Sequence, residues 1–299
     1  MTEGASATRP SSPRRRAWRR FAANRGALVG GGIVLVIIGL ALFGPWFAGD
    51  PSTPDIDNGL SVVGAPLGPR AGAWLGSDPL GRDVWARIIH GAAVSLEVSL
   101  VASLIALTLG LAIGLVAGYA GGLVDTVLMR FVDLVLAFPF LLLALLLAAL
   151  LREAHLSSAN APVFITLGVV SWTTMARVIR GKVQSLREAE FVHAARAIGA
   201  GPVRILVRHL LPNVIGVVVV LATIGFAQMI LAESVLSYVG LGPPPPAATW
   251  GRMLYEGQAY YRTAPWLIIA PGVAILLTVV GFNLLGEGLR DALDPKDRR

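Results

Sequence analysis

The sequence contains no cysteine, which excludes disulfides, thiolate nucleophiles and cysteine-bound metal centres. Charge is scarce too, at 14% of the chain, where soluble domains carry about 25%. Signatures of hydrolytic or intramembrane catalysis are missing. There is no His-Glu-x-x-His, no Gly-x-Ser-x-Gly and no pair of aspartates set within apolar runs. The histidines His90, His155, His193 and His209 all fall between those runs. No catalytic and no metal-binding residue is therefore expected. The net charge of +7 does not point to nucleic acid, because the basic residues stand in discrete blocks between apolar stretches. That is the pattern of topology signals and of contact with anionic headgroups in a lipid bilayer.

What the chain has is apolar length, with 55% hydrophobic residues and a mean hydropathy of +0.69. A membrane-crossing helix needs about 20 apolar residues. Six runs qualify: 27–48, 98–124, 134–150, 161–176, 210–232 and 263–286. The third is extended at its start by 127–132, past Arg130; the fourth is diluted by Ser171, Trp172, Thr173 and Thr174. Lys and Arg number seven in 1–26, seven in 177–209 and four in 289–299. The other side has three in 49–93, one in 151–160 and two in 237–262. Eighteen against six puts both termini and the 177–212 loop in the cytoplasm. An even number of crossings gives the same result.

Within or beside the runs, Arg130 and Asp133 share a helix face and are expected to form a structural ion pair. Glu97, Glu233 and Glu287 lie near run ends, where a long side chain can snorkel to the interface. Pro139 and Pro271 are expected to bend the third and sixth spans. Gly110, Gly114 and Gly118, four apart, predict a face of close helix contact.

The stretch 190–213, EFVHAARAIGAGPVRILVRHLLPN, is too polar for lipid and too regular for a slack connector. Its helix formers predict one helix over about 186–198, with Glu188 and Glu190 at the positive end of its dipole. Gly199 and Gly201 supply a left-handed stop. Pro202 opens a second helix reaching about residue 211, and Pro212 and Asn213 are expected to hinge it into the fifth span. Ala194, Ala195 and Ala197 leave a low-profile face. Phe191, Ile198 and Ile205 supply apolar anchors, and Arg196, Arg204 and Arg208 supply charge. The residues alone fit both docking into a partner's groove and lying on anionic lipid.

The same stretch resembles the Glu-Ala-Ala loop of the inner-membrane permease subunits of ABC importers. That motif runs Glu-Ala-Ala, three residues, Gly, nine residues, Ile-x-Leu-Pro. Here His193-Ala194-Ala195, Gly199 and His209-Leu210-Leu211-Pro212 stand at those spacings, with His193 in place of the Glu and His209 in place of the Ile. Four further blocks resemble the dipeptide, oligopeptide and nickel group of these permeases, and within it the second, C-type subunit. They are LGSDPLGRDVWARIIHGAAVSL (75–96), GYAGGLVDTVLMRFVDLVLAFP (118–139), GLGPPPPAATWGRML (240–254) and GFNLLGEGLRDALDPK (281–296). The likeness covers roughly residues 18–298.

The resemblance implies an all-α polytopic membrane protein. It would have six transmembrane helices, the type I permease fold of ABC importers, and cytoplasmic coupling helices between helices 4 and 5. It implies a basic cytoplasmic tail (1–26), a first span with an outer loop (27–93) and a core permease domain (94–299) that carries the loop 186–213. It also implies half of a translocation channel, in the bacterial plasma (inner) membrane, for peptides or similar solutes. The implied partners are a second homologous permease subunit, cytoplasmic ABC ATPase subunits and an extracytoplasmic solute-binding protein. The ATPase would dock on Glu190, Phe191, His193, Ala194, Ala195, Arg196, Ile198, Gly199, Arg204 and Pro212. ATP and Mg would be used by the partner subunits, with no cofactor bound by this chain. The residues agree: the one Gly-Lys pair, Gly181-Lys182, is followed by Val183 and has Ala176 where a phosphate-binding loop needs Gly. A stand-alone secondary transporter or channel is the rival reading, and it predicts ion-driven uptake by the isolated chain.

Overall fold

A computed structural model describes residues 13–153 and 160–293 of the protein; His155 and the terminal charges beyond those limits lie outside the described residues. The elements are α1 (Pro13–Ala23), α2 (Arg25–Phe43), α3 (Ile56–Gly59), α4 (Val84–Ala120), α5 (Gly122–Ala137) and α6 (Phe140–Glu153), then α7 (Ala161–Arg187), α8 (Glu190–Ala197), α9 (Pro202–Ile205), α10 (Leu211–Tyr238), α11 (Trp250–Gly257) and α12 (Trp266–Leu293). Among the described residues, five runs are long and apolar enough to cross a membrane: Arg25–Trp46, Val84–Ala120, Ala161–Arg187, Pro202–Tyr238 and Trp266–Leu293. The helices α5 and α6 make a sixth crossing if they count as one broken span, bent by 91°.

Local chemistry moves several boundaries from where hydropathy places them. The second span starts at Val84, inside the expected outer loop, because the Asp83 side chain accepts from the Trp85 N–H and caps the helix. It ends at Ala120, since Gly121 and Gly122 take φ of 66° and 52°; there an L side chain is strained, so 122–124 open the next helix instead. Pro139 breaks its span outright rather than bending it. Phe138 before it is extended, with φ −84° and ψ 137°, the conformation a following proline enforces. The fourth span continues as α7 to Arg187, eleven residues past its apolar run, so the first loop helix starts only at Glu190 and Glu188 caps the end of α7.

The expected hinge at Pro212 is absent. From Pro202 to Tyr238 the chain runs on as one helix through a π turn at Leu206–Leu210. A proline has no N–H for the carbonyl four residues back, and in a regular α-helix its ring presses on that carbonyl. The π turn widens the ladder just ahead of the ring, with the Leu211 N–H donating to Leu206 O, five residues back. Asn213 Nδ2 then donates to His209 O at 2.6 Å.

The three spaced glycines seat α4 on α7. A Cβ on Gly110, Gly114 or Gly118 would lie 2.6, 2.8 and 2.7 Å from the Cβ atoms of Met175, Ile179 and Val183 respectively. No side chain fits there, so two backbones approach closely enough for dispersion to hold them without a hydrophobic drive. Around this seam lie three buried clusters. A central one joins Val98, Ala102 and Ala106 to Leu167, Trp172 and Ala176. One towards the 49–83 segment gathers Trp250, Met253, Phe226 and Leu267. One at the opposite, loop end gathers Ile179, Val183, Val192, Ala195, Ile205 and Val214.

Candidate functional site

The loop 188–201 is short and fully structured. Helix α8 closes in a Schellman motif: the Gly199 N–H donates to Arg196 O at 2.9 Å and the Ala200 N–H to Ala195 O at 3.0 Å. Gly199 sits at φ 80°, which is why a glycine is needed there. Pro202 then starts α9 at its first turn, a position that has no use for an N–H.

This turn splits the sequence-predicted residues into two faces. Glu190, Phe191, His193, Ala194, Arg196, Ile198, Gly199, Arg204 and Pro212 are exposed. Ala195 and Ile205 are not: both are buried in the loop-end cluster, against this chain's own helices. The reading of Ala195 as part of a partner-facing surface, and of Ile205 as an anchor on it, is therefore corrected. Their small and branched side chains seat α8 and α9 on α7 and α10. In their place Val203 (72% exposed) joins Ile198 (84% exposed) on the outer face, with Val207 one turn on. Periodicity from Pro202 onward carries that signal, since 203 and 207 share a face.

The face is anchored from below by Tyr119, at the end of α4. The Arg196 guanidinium lies 5.4 Å from the centroid of its ring, a cation–π distance. Arg187 Nη1 donates to Tyr119 O at 3.3 Å. His193, standing where the motif has Glu, lies with Nε2 3.8 Å from Glu188 Oε2.

The expected Arg130–Asp133 pair is not formed. Asp133 instead receives Arg177 Nη2 from α7 at 2.5 Å. Side chains on a helix lean towards its N-terminus, so Arg130 leans away from a residue three positions later. The fork of Arg180 takes Asp125 in the same way, with Nη2 to Oδ2 at 2.6 Å. Neither cross-helix pair was visible in sequence, because the partners are 44 and 55 residues apart.

Between α4, the α5–α6 break, α7 and α10 lies an open cavity of about 430 Å³. Its wall is apolar with neutral polar groups (Ser103, Ser171, Thr173, Thr174, Gln228) and carries no charged residue. Next to it on α10, beyond Ala232, Glu233 is fully buried and does not reach the surface. Its Oε1 accepts from Ser237 Oγ at 2.6 Å, and Oε2 has no hydrogen-bond partner among the described residues. The expectation that Glu233 reaches an interface is corrected: α10 runs on past it, and α11 packs against α10 with Gly251 on Ser234, while the Trp250 backbone N–H donates to Ser95 Oγ at 3.3 Å.

At the capped end, a network of five charges closes α11 onto α4. Glu256 accepts from Arg82 Nη2 at 2.9 Å, Arg87 Nη1 at 2.7 Å and Arg252 Nε at 2.9 Å. Asp78 pairs with Arg82 and Arg87. Burial by itself raises the Glu256 carboxyl, but the Arg87 and Arg82 guanidiniums outweigh it and hold it below the usual glutamate range.

Comparisons with known proteins match this geometry. The profile of the binding-protein-dependent transport system inner membrane component covers residues 110–299. The N-terminal transmembrane domain of oligopeptide transport permease C covers residues 12–62. The chain is 40% identical to a dipeptide transport system permease protein of Alkalihalophilus pseudofirmus, over 95% of this chain and 90% of that one. It is 41% identical to a glutathione transport system permease protein of Salmonella typhimurium (95% and 91%). It is 42% identical to an oligopeptide transport system permease protein of Escherichia coli K12 (94% and 90%). A solved methionine ABC transporter in an inward-facing conformation shares the fold at a TM-score of 0.58 and 20% identity, over 71% of this chain and 97% of that chain.

Proposed function

This chain belongs to the binding-protein-dependent transport system inner membrane component family, as a permease subunit of an ABC importer, and from that premise we propose that it forms half of a channel carrying peptides or peptide-like solutes into the cytoplasm. A dipeptide, an oligopeptide and glutathione, the solutes in the relatives' names, have the peptide backbone in common. A neutral cavity with hydroxyl and amide groups suits that backbone, since it offers hydrogen bonds without a fixed charge to trap either terminus. A second permease subunit completes the channel, and an outer solute-binding protein delivers to it. With Lys and Arg concentrated on the loop side, both termini and the loop face the cytoplasm of a bacterial inner membrane.

The observation that carries the reading is the outer face of α8 and α9. Ile198, Val203 and Val207 are exposed, with the exposed arginines Arg196, Arg204 and Arg208 close to them along the chain. A rigid helix face with apolar anchors and basic flanks fits a groove on a cytoplasmic ATPase. ATP is bound with Mg and hydrolysed there, and this subunit is the part that is moved. When the ATPases close, α8 is carried with them. Arg196 on Tyr119 passes the movement to α4, and the continuous Pro202–Tyr238 helix passes it to the bundle, an equilibrium between two packings biased by nucleotide.

Reconstitution with the partner permease, ATPases and binding protein tests this. Ile198→Glu and Gly199→Pro are expected to abolish uptake and substrate-stimulated ATPase activity while the complex still inserts in the membrane. Unchanged uptake by both variants would remove the coupling role from this face. Ala195→Trp, by contrast, is expected to unseat α8 from its own bundle and lower the melting temperature of the isolated subunit.

A further inference from the structure

The coupling reading leaves helix α1 unused. Its sequence, PRRRAWRRFAA, holds five arginines and no acidic residue. A single residue, Asn24, separates it from the membrane-crossing run that begins at Arg25. Asn24 is extended (φ −85°, ψ 106°), and its side chain caps α2 by accepting from the Ala27 N–H at 3.1 Å. The chain therefore turns here, and α1 is not a prolongation of the span. Asn24 Nδ2 also donates to Asp291 Oδ2 at 3.1 Å, near the end of α12. This places α1 at the level where two membrane-crossing helices leave the bilayer.

On α1, Trp18 is 68% exposed. Its ring stacks on Phe21 with centroids 5.8 Å apart, and exposed Arg19 stands beside it. An indole left in water next to a guanidinium, at the mouth of a span, matches what the headgroup layer selects: aromatic rings at the boundary and cations on the phosphates. The uniform positive charge of the helix decides between surfaces, because it complements an anionic one.

We propose that α1 is an interfacial helix that binds anionic phospholipid headgroups through Arg19, with Trp18 seated at the acyl boundary. It fixes the corner from which the first span departs.

The natural absence of cysteine permits a single reporter. Ala22→Cys lies on an exposed position one turn from Trp18 and carries an environment-sensitive fluorophore. The full chain is placed in nanodiscs of phosphatidylcholine alone, or of phosphatidylcholine with phosphatidylglycerol. Emission is expected to shift to the blue, and to be quenched by spin-labelled lipid, only in the phosphatidylglycerol discs, with high salt reversing both. Arg19→Gln is expected to lower the docked-to-free ratio about fivefold, the weight of one charge at such a surface, whereas Arg19→Lys retains it. Trp18→Ser is expected to abolish the quenching. Identical emission in the two lipids would overturn the proposal, as would a response that appears only on adding the ATPase subunit, which would assign the face to a protein. The readout does not depend on transport, so it stands or falls apart from the coupling role of α8.

Discussion

Arg180 of α7 grips both carboxylate oxygens of Asp125 on α5, Nε on Oδ1 and Nη2 on Oδ2. Gln184 Nε2 adds a third donor to Oδ2 at 3.1 Å, and two turns further along α5 Arg177 takes Asp133. The two helices thus meet along an ion-paired seam running antiparallel. Two parallel N–H···O bonds fix direction as well as distance, so the seam orients the broken α5–α6 unit against the helix that leads to the loop.

Removing one partner of this fork should be costly. Asp125→Asn is expected to destabilise the subunit by about 1.5–3 kcal/mol, the range for a hydrogen bond to a charged group. A lowered melting temperature in mild detergent is the measurement. The double variant with Arg180→Gln should cost less than the sum of the two single changes, because the pair is lost only once. Strict additivity would show that the fork contributes no pairing energy.

The glycine seam predicts a contrast on two facing helices. Gly114→Leu sets a side chain where its first carbon already meets Ile179 Cβ at 2.8 Å and Ala176 O at 2.8 Å. Overpacking of this kind costs about 1–3 kcal/mol or more, and folded yield should fall accordingly. Gly181, on α7, has nothing within 4 Å of a built Cβ. Gly181→Ala should leave yield unchanged or gain up to about 1 kcal/mol of helix propensity.

The capped end should loosen in acid. The Glu256 carboxyl is held below its usual range by Arg87 and Arg82, so the folded protein favours its ionised form. That stabilisation is fully present above the unfolded value of about 4.3 and is lost as pH falls through the depressed folded value. Hydrogen exchange of the 250–257 amides, corrected for intrinsic rate, should stay flat above about pH 5 and show falling protection below it. Glu256→Gln should weaken protection at neutral pH and flatten the profile. Protection that rises on acidification would contradict the assignment.

The sequence discloses most of the membrane-crossing helices and the glycine seam, because hydropathy and four-residue spacing are local signals. It discloses the Gly199 stop and the Pro202 start for the same reason. It misplaces features set by tertiary contact. Ala195 and Ile205 carry the same residue types as their exposed neighbours, and only the seating of α8 on the bundle turns them inward. Asp133 has an arginine three positions before it, yet takes one from another helix. Glu233 sits near the end of an apolar run but is sealed by a helix that begins seventeen residues later. Pro212 promises a bend, and a π turn absorbs it. For Ala195, Ile205, Asp133 and Glu233 a long-range neighbour decided between two locally equal outcomes, whereas at Pro212 the outcome lies in the backbone turn just ahead of it.

Helix α4, at 37 residues, is longer than the roughly 20 that cross a bilayer. Near one end Arg87 is clasped by Asp78 and Glu256, and Ile88 O accepts from Trp250 Nε1 at 3.0 Å. Near the other, Tyr119 lies under Arg196. At 1.5 Å per residue those two grips are about 48 Å apart along one uninterrupted cylinder. Such a strut has no joint at which displacement could dissipate, so a tug on the Tyr119 side arrives at the Glu256 clasp as nearly the same displacement. The Glu256 clasp and the Tyr119 contact are then two ends of a single lever, and a shift at one is expected to register at the other.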